Sequence, residues 1–146
     1  MKRLIVAVLC FLALQSVSQS AERIRPITFD KVKFEMKQGD PFKPELLTDD
    51  IRKLDGKTIR ISGWMYPSFQ QTGLKGFILV RDNKECCFGP RAALFDCMIV
   101  DMVGSTTTDY STYPITVEGV FKIKEVKGPD GKHLAIYHLD ALNVKQ

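Results

Sequence analysis

The sequence predicts an all-β protein, namely a small five-stranded OB-like barrel preceded by an N-terminal edge strand and a short helix. Three observations favour this fold. Several stretches alternate apolar and polar residues with the two-residue period of a strand. Gly63 and Gly119 interrupt two of these stretches at mid-length, where a curved strand bends or a neighbour approaches closely. Turn-forming residues separate the stretches. A two-sheet β-sandwich is the alternative architecture.

The first twenty residues predict a signal peptide. Lys2 and Arg3 form a basic start, residues 4–14 are an apolar run, and small residues follow as far as Ala21. The run is shorter than a relaxed transmembrane helix, although an uncleaved membrane anchor is the alternative. We therefore expect residues 1–20 to direct export, residues 21–146 to form one domain, and the protein to be periplasmic or extracellular.

The charge of the chain limits its partners. The formal charge of +4 falls to +2 once Lys2 and Arg3 are removed, and no block of like charge exceeds a few residues. This is a poor basis for binding nucleic acid. We expect no nucleic-acid partner, membrane contact only through an uncleaved signal, and a working partner that is a protein or a metal ion.

The N-terminal edge strand is predicted at residues 30–37. Charged and apolar residues alternate there, which places Val32, Phe34 and Met36 on one face. The lysines on the other face suit an exposed edge. This stretch therefore reads as a half-buried strand.

A short helix or two turns is predicted at residues 44–54. Leu47, Ile51 and Leu54 follow at spacings of four and three, which forms a single apolar stripe. Thr48 is a candidate N-cap for its last part. A helix this short needs a sheet or barrel to pack on.

The five main strands are predicted at residues 57–66, 75–82, 97–103, 113–126 and 132–144. Ile59, Ile61 and Met65 share one face of the first strand. The stretch Gly-Pro-Asp-Gly at 128–131 is a strong turn signal between the last two strands.

Residues 54–67, LDGKTIRISGWMYP, resemble the L-D-G-K-x-V-x-I-x-G-Y-M-x-P opening of a family of exported bacterial proteins that carries only a domain-of-unknown-function label. The strand 77–80 followed by Cys86 and Cys87 is similar to the family's F-L-L-V…C segment. The likeness covers about residues 30–144. It implies an OB-like barrel and an association with metal uptake. The chain departs from the family at the site, because many relatives have one cysteine before a proline-rich run. Here Cys-Cys-Phe-Gly-Pro and a further Cys97 stand instead.

Cys86, Cys87 and Cys97 are the candidate site residues. Export would place them in an oxidising compartment, where an odd number leaves at least one cysteine outside any intramolecular bridge. One interpretation is a thiolate site for zinc or copper, with His133 as a weaker fourth ligand. The competing interpretation is a disulfide from Cys86 or Cys87 to Cys97, which would stabilise the fold by about 3 kcal/mol. Inert buried thiols are a further alternative.

Adjacent cysteines complicate both interpretations. Cys86 and Cys87 point apart in an extended chain, so they seldom ligate one ion together, and we expect only one of them to face Cys97. A strained disulfide between Cys86 and Cys87 would suit thiol exchange. Redox chemistry is nevertheless disfavoured, because no C-x-x-C stands at a helix N-terminus.

The two histidines, His133 and His138, are five residues apart on the last predicted strand and therefore face opposite sides of it. Apolar neighbours predict that His138 is a hydrogen-bonded core residue. His133, beside the turn, is expected to be a solvated surface residue unless it ligates a metal.

The remaining candidates have structural interpretations. No nucleophile, base and orienting group stand in a recognisable order, so the charges around the cysteines are expected to be structural, with Arg81 paired to Asp96 or Asp101. The charged set is Arg81, Asp82, Glu85, Arg91, Asp96 and Asp101. Four aromatic residues could line a ligand-binding face of the barrel, but we expect them to be buried in the core instead. They are Trp64, Tyr66, Phe69 and Phe77.

Together these observations predict an exported, non-enzymatic binding or accessory protein, in its most specific form one that binds a transition metal through the cysteine cluster. The first alternative is a structural or protein-interaction module whose cysteines form a disulfide. The second alternative is a thiol-redox protein.

Overall fold

The computed structural model describes residues 23–37, 40–83 and 93–146. Within these ranges the chain forms six strands, one short α-helix and three 3-10 helices. The strands are β1 (Arg25–Pro26), β2 (Thr58–Met65), β3 (Gly76–Val80), β4 (Cys97–Met102), β5 (Ile115–Lys127) and β6 (His133–Lys145). The helix α1 is Asp49–Arg52, and the 3-10 helices are Phe29–Val32, Pro44–Leu46 and Leu94–Asp96. All five predicted main strands are confirmed, with boundaries that differ by one or two residues.

The strands close into a barrel. Their order is β1-β2-β3-β4-β6-β5, and β2 also pairs with β5, from Thr58 opposite Val120 to Gly63 opposite Ile115. The pair β4–β6 is parallel, as is the short β1–β2 pair, while the other described pairs are antiparallel. The predicted all-β, OB-like barrel is therefore confirmed, and the β2–β5 pairing closes the sheet, so the edge left by the two-residue strand β1 is short.

The barrel interior is filled by one face of each long strand. Its centre includes Tyr137 and Phe121, which are fully buried with their rings 5.1 Å apart. The Tyr137 hydroxyl donates a 2.7 Å hydrogen bond to the carbonyl of Val32. Burial raises the pKa of Tyr137, so its hydroxyl stays protonated. This hydrogen bond ties the N-terminal segment to the core.

The prediction of an edge strand at residues 30–37 is wrong. Phe29–Val32 is a 3-10 helix, and the residues after it are irregular. The N-terminal strand lies earlier, where β1 pairs with Ile59 and Arg60 of β2. The alternation still identified the buried side chains, because Val32 and Phe34 lie in the core and Met36 packs against it. Side-chain packing, and not strand pairing, holds these residues in place. The segment cannot add to β2 as a further strand, because β1, β3 and β5 already pair with both edges of β2.

The helical prediction at residues 44–54 is confirmed as two turns, Pro44–Leu46 and α1. Leu47, Ile51 and Leu54 are buried as the apolar stripe required. The Thr48 hydroxyl caps α1 by accepting a 3.3 Å hydrogen bond from the Ile51 amide.

The two mid-strand glycines mark close backbone contacts. A Cβ on Gly63 would lie 2.6 Å from the Val80 carbonyl oxygen, and one on Gly119 would lie 2.4 Å from the Asp140 carbonyl oxygen. The β5–β6 register shifts beside Gly119. Glycine is required at both positions because any side chain would push neighbouring strands apart.

Several predictions fall outside the described ranges, namely the signal peptide at 1–20 and the two adjacent cysteines, Cys86 and Cys87. Within those ranges, no helix is both long enough and apolar enough to span a membrane.

Candidate functional site

The candidate site lies where β3 ends and β4 begins. Cys97, the first residue of β4, stands opposite Val80, the last residue of β3. The ladder continues past the strands, because the Arg81 amide donates a 3.0 Å hydrogen bond to the Asp96 carbonyl. A 3-10 turn just before Cys97 is closed by a 2.8 Å hydrogen bond from the Asp96 amide to the Ala93 carbonyl. The backbone of Cys97 is therefore held on both sides.

Cys97 is buried, and it forms no disulfide with any described residue. Its Sγ lies 3.8 Å from two main-chain carbonyl oxygens, those of Leu94 and Leu134. Burial, and then the negative charge of Asp96, raise the pKa of the Cys97 thiol to about 11. At neutral pH the thiol is consequently protonated and a poor nucleophile.

The charges beside Cys97 form structural ion pairs. The Arg81 guanidinium contacts the Asp96 carboxylate, with Nε 3.4 Å from Oδ1, and also the carboxylate of Asp30. One of the two predicted partners of Arg81 is thus confirmed. The other, Asp101, lies instead beside His138. The Arg81 pairs join the end of β3 to the N-terminal segment and to the turn before Cys97.

His133 is engaged elsewhere. Its ring packs edge-on against Phe42 at 5.3 Å, and its Nε2 lies 2.8 Å from Oε2 of Glu125. With its side chain 13% exposed, it is not the solvated surface residue that was expected. None of these contacts is with Cys97. Among the described residues, no three His, Cys, Asp or Glu side chains gather closely enough to hold a metal ion.

The prediction for His138 is confirmed, because it is a buried residue with polar partners. Its Nε2 lies 3.1 Å from Oδ2 of Asp101 and 3.5 Å from Oδ1 of Asp140. Its Nδ1 is buried without a hydrogen-bond partner. Two carboxylates on the same side of the ring favour the tautomer with the proton on Nε2.

The four aromatic candidates differ in how deeply they are buried. Phe77 is a core residue and Trp64 is half-buried, whereas Tyr66 and Phe69 are exposed. Tyr66 and Phe69 are therefore the two of the four with enough exposed ring for a partner to contact.

Sequence reasoning did not find the carbonyl groups that surround Cys97. Leu94 and Leu134 contribute main-chain oxygen atoms, and every residue type carries that atom. No side-chain pattern identifies such a contact before the fold is known. Cys86 and Cys87 lie outside the described residues, so the metal-ligand set and the disulfide both stay predictions.

Comparison with known proteins shows a likeness in fold. A crystal structure of a DUF3299 family protein from Pseudomonas aeruginosa PAO1 matches with a TM-score of 0.59 and 19% identity, over 84% of this chain and 95% of that one. No protein-family model and no curated protein matches the chain. The match supports the uncharacterised, barrel-like fold that the sequence resemblance implied, and at this identity it carries no information on activity.

Proposed function

We propose that the protein is an exported, non-enzymatic binding or accessory protein that binds a transition metal through Cys97 together with Cys86 and Cys87. The observation that supports this is the state of Cys97. Within the described residues it forms no disulfide, and it is fixed at the first residue of the strand that follows the segment with the other two cysteines. An anchored sulfur of this kind contributes to a metal site without moving the barrel.

The chemistry of Cys97 favours metal binding over redox catalysis. Thiol exchange needs a thiolate at neutral pH, and burial opposes that form. A metal ion can displace the proton. Removing it at pH 7 from a thiol with a pKa of about 11 costs about 5 kcal/mol, while structural zinc sites in small peptides gain about 10–16 kcal/mol. Zinc and copper(I) both accept thiolate ligands.

Of the four proposed metal ligands, His133 is the weakest candidate. His133 remains the candidate, and it would have to exchange its 2.8 Å contact with Glu125 for the metal. Replacing His133 by alanine is therefore expected to weaken metal binding without abolishing it, because the three sulfur ligands remain.

A second candidate function is a structural or protein-interaction module in which Cys97 is joined to Cys86 or Cys87. The fixed backbone of Cys97 supports this as well, because a disulfide has narrow distance and dihedral requirements that an ordered backbone helps to meet. Closing the short loop would stabilise the protein by about 3 kcal/mol.

Elemental analysis of untagged protein, purified reduced and without chelator, tests the metal site. We expect stoichiometric zinc or copper in the wild type and its loss in Cys97→Ser. Val80→Ala is the matched control, because it disturbs packing opposite Cys97 and removes no ligand atom. Absence of metal from the wild type, or its retention in Cys97→Ser, would reject the metal site. Thiol titration of oxidised protein would then decide for or against the disulfide.

A further inference from the structure

We propose that the loop of residues 66–75, between β2 and β3, is a docking site that inserts Phe69 into an uncharged, apolar pocket of a partner protein. This inference is independent of the cysteines. Phe69 is exposed to 109% of its reference area, so none of the described residues covers its ring. Tyr66, on the same loop, is 43% exposed.

The loop is braced against the segment of residues 103–114. The Gly73 amide donates a 3.0 Å hydrogen bond to the Asp109 carboxylate. Leu74 and Thr108 exchange two main-chain hydrogen bonds of 2.8 and 3.1 Å. Further hydrogen bonds link Tyr110 N to Gln71 O, Gln71 Nε2 to Ser68 O and Gln70 Nε2 to Thr72 O. These hydrogen bonds restrain the loop backbone that follows Phe69, so less backbone freedom is lost on binding.

The second segment adds another exposed aromatic residue to the same end of the barrel. Tyr113 is 76% exposed. Its amide is hydrogen-bonded to the Ser111 hydroxyl, and the Ser111 amide contacts the sulfur of Met65, the residue before Tyr66. The two segments therefore adjoin.

Few charged side chains belong to these two segments. Residues 66–74 contain none, Lys75 closes the loop with its ammonium 3.4 Å from the Gly104 carbonyl oxygen, and residues 103–114 contain one, Asp109, although 26% of the whole chain is charged. The Asp109 carboxylate accepts the hydrogen bond from the Gly73 amide that braces the loop. Exposed aromatic side chains with charge depleted are typical of protein-binding surfaces.

A protein fits this surface better than the other occupants. Ser68, Gln70 and Gln71 place polar groups next to Phe69, and moving these groups among lipid tails would remove their contact with water. One phenyl ring also buries less apolar area than an acyl chain, which alone gives only marginal membrane binding. Small ligands bind mostly in concave sites, whereas the Phe69 ring is fully exposed. A partner protein supplies both a pocket for the ring and a polar rim.

Photo-crosslinking tests the proposal. Benzoylphenylalanine is placed at position 69 of the full chain, expressed in the cells from which the gene comes, with position 142 as the matched control. Leu142 is 53% exposed on β6, outside both segments. We expect one discrete protein to be crosslinked from position 69 and not from position 142. That protein, once purified, should bind Phe69→Ala at least tenfold more weakly than the wild type and bind Leu142→Ala unchanged.

Four outcomes would overturn the proposal. They are the absence of a crosslink specific to position 69, equal affinities of wild type and Phe69→Ala, a crosslink only to a second copy of this chain, and flotation with phosphatidylcholine vesicles that depends on Phe69. Phe69 and Leu142 are both exposed, so we expect the melting temperatures of the two alanine variants to match the wild type. Loss of folding would therefore not explain a loss of binding.

Discussion

Among single residues, Cys97 shows how main-chain surroundings control a reactive group. Two carbonyl oxygens lie near its Sγ, and they can accept a hydrogen bond from the thiol but cannot stabilise a thiolate. The negative charge of Asp96 acts in the same direction as burial. Cys97 is consequently inert as a nucleophile until a stronger electrophile, such as a metal ion, displaces its proton.

This environment predicts a pH-dependent loss of stability in reduced, metal-free protein. In the unfolded chain the thiol titrates near its ordinary pKa of 9.0, whereas in the folded protein the pKa of Cys97 is about 11. The contribution to stability is fully present below about pH 9 and is lost as the pH rises to about 11, because the unfolded chain then releases its proton first. The loss amounts to about 3 kcal/mol.

Urea unfolding at pH 7, 9, 10 and 11 measures this effect. Cys97→Ala should fall less steeply than the wild type across that interval, because it lacks the titrating group. The cavity left by the substitution shifts its stability by the same amount at every pH. Parallel pH profiles for the two proteins would show that Cys97 does not titrate in this way.

Among the strands, β5 and β6 depend on a glycine at their register shift. Gly119 lets the β6 backbone approach, since a Cβ there would also lie 2.9 Å from the Cα of Ala141. The neighbouring atoms are main chain and cannot rotate away. The ladder on both sides of this point would have to move to accommodate a methyl group.

Gly119→Ala is expected to lower the free energy of unfolding by about 2–3 kcal/mol through overpacking. Gly56→Ala is the comparison, because Gly56 has open space around its Cα and a positive φ of 75°. Its expected loss is about 1 kcal/mol, from backbone strain alone. Urea denaturation of both variants gives the two losses, and equal values would refute the close-approach explanation.

The strand predicted at residues 30–37 is absent because strand formation depends on a neighbouring strand as well as on the segment itself. Its alternation correctly marked Val32 and Phe34 as buried. A period of two records which side chains face the core, and it does not record whether a neighbouring strand has a free edge. Packing of Phe34 against Phe95, with ring centroids 5.2 Å apart, holds this segment in place of a ladder.

For the barrel as a whole, closure between β2 and β5 is supported by an ionic contact across the seam. Arg60 stands opposite Glu118 in the register, with Nε 2.7 Å from Oε1, and the Lys145 ammonium lies 3.1 Å from the same oxygen. Hydrogen bonds from Lys145 and then Arg60 lower the pKa of Glu118 from its ordinary 4.5. The pairing of β2 with β5 is therefore most stable when Glu118 is ionised.

Glu118→Gln is expected to lower the melting temperature at pH 7 and to have a smaller effect at pH 3. The folded pKa is depressed, so the contribution of Glu118 is present above about pH 4.5 and is lost as the pH falls through the folded value. Calorimetry at both pH values measures the difference in melting temperature, called the gap, between variant and wild type. Glu45→Gln, at an exposed carboxylate, is the control and should show no such gap. A gap that stays constant with pH would contradict this role for Glu118.

Local patterns were sufficient to place the strands, the two turns at residues 44–54, the buried state of His138 and the Arg81–Asp96 pair. The strands, the turns and the burial of His138 depend on periodicity or composition within a few residues, and Arg81 and Asp96 stand at the facing ends of two consecutive strands. The contacts of His133 with Glu125 and Phe42 were not foreseen, nor were the carbonyl groups around Cys97 or the hydrogen bond from the Gly73 amide to Asp109. Several of these contacts join positions far apart in the chain, as Cys97 and Leu134 do across 37 residues and Arg60 and Glu118 do across 58. A pattern read along the chain records which faces are apolar, whereas the partner of each face exists only once the barrel has closed.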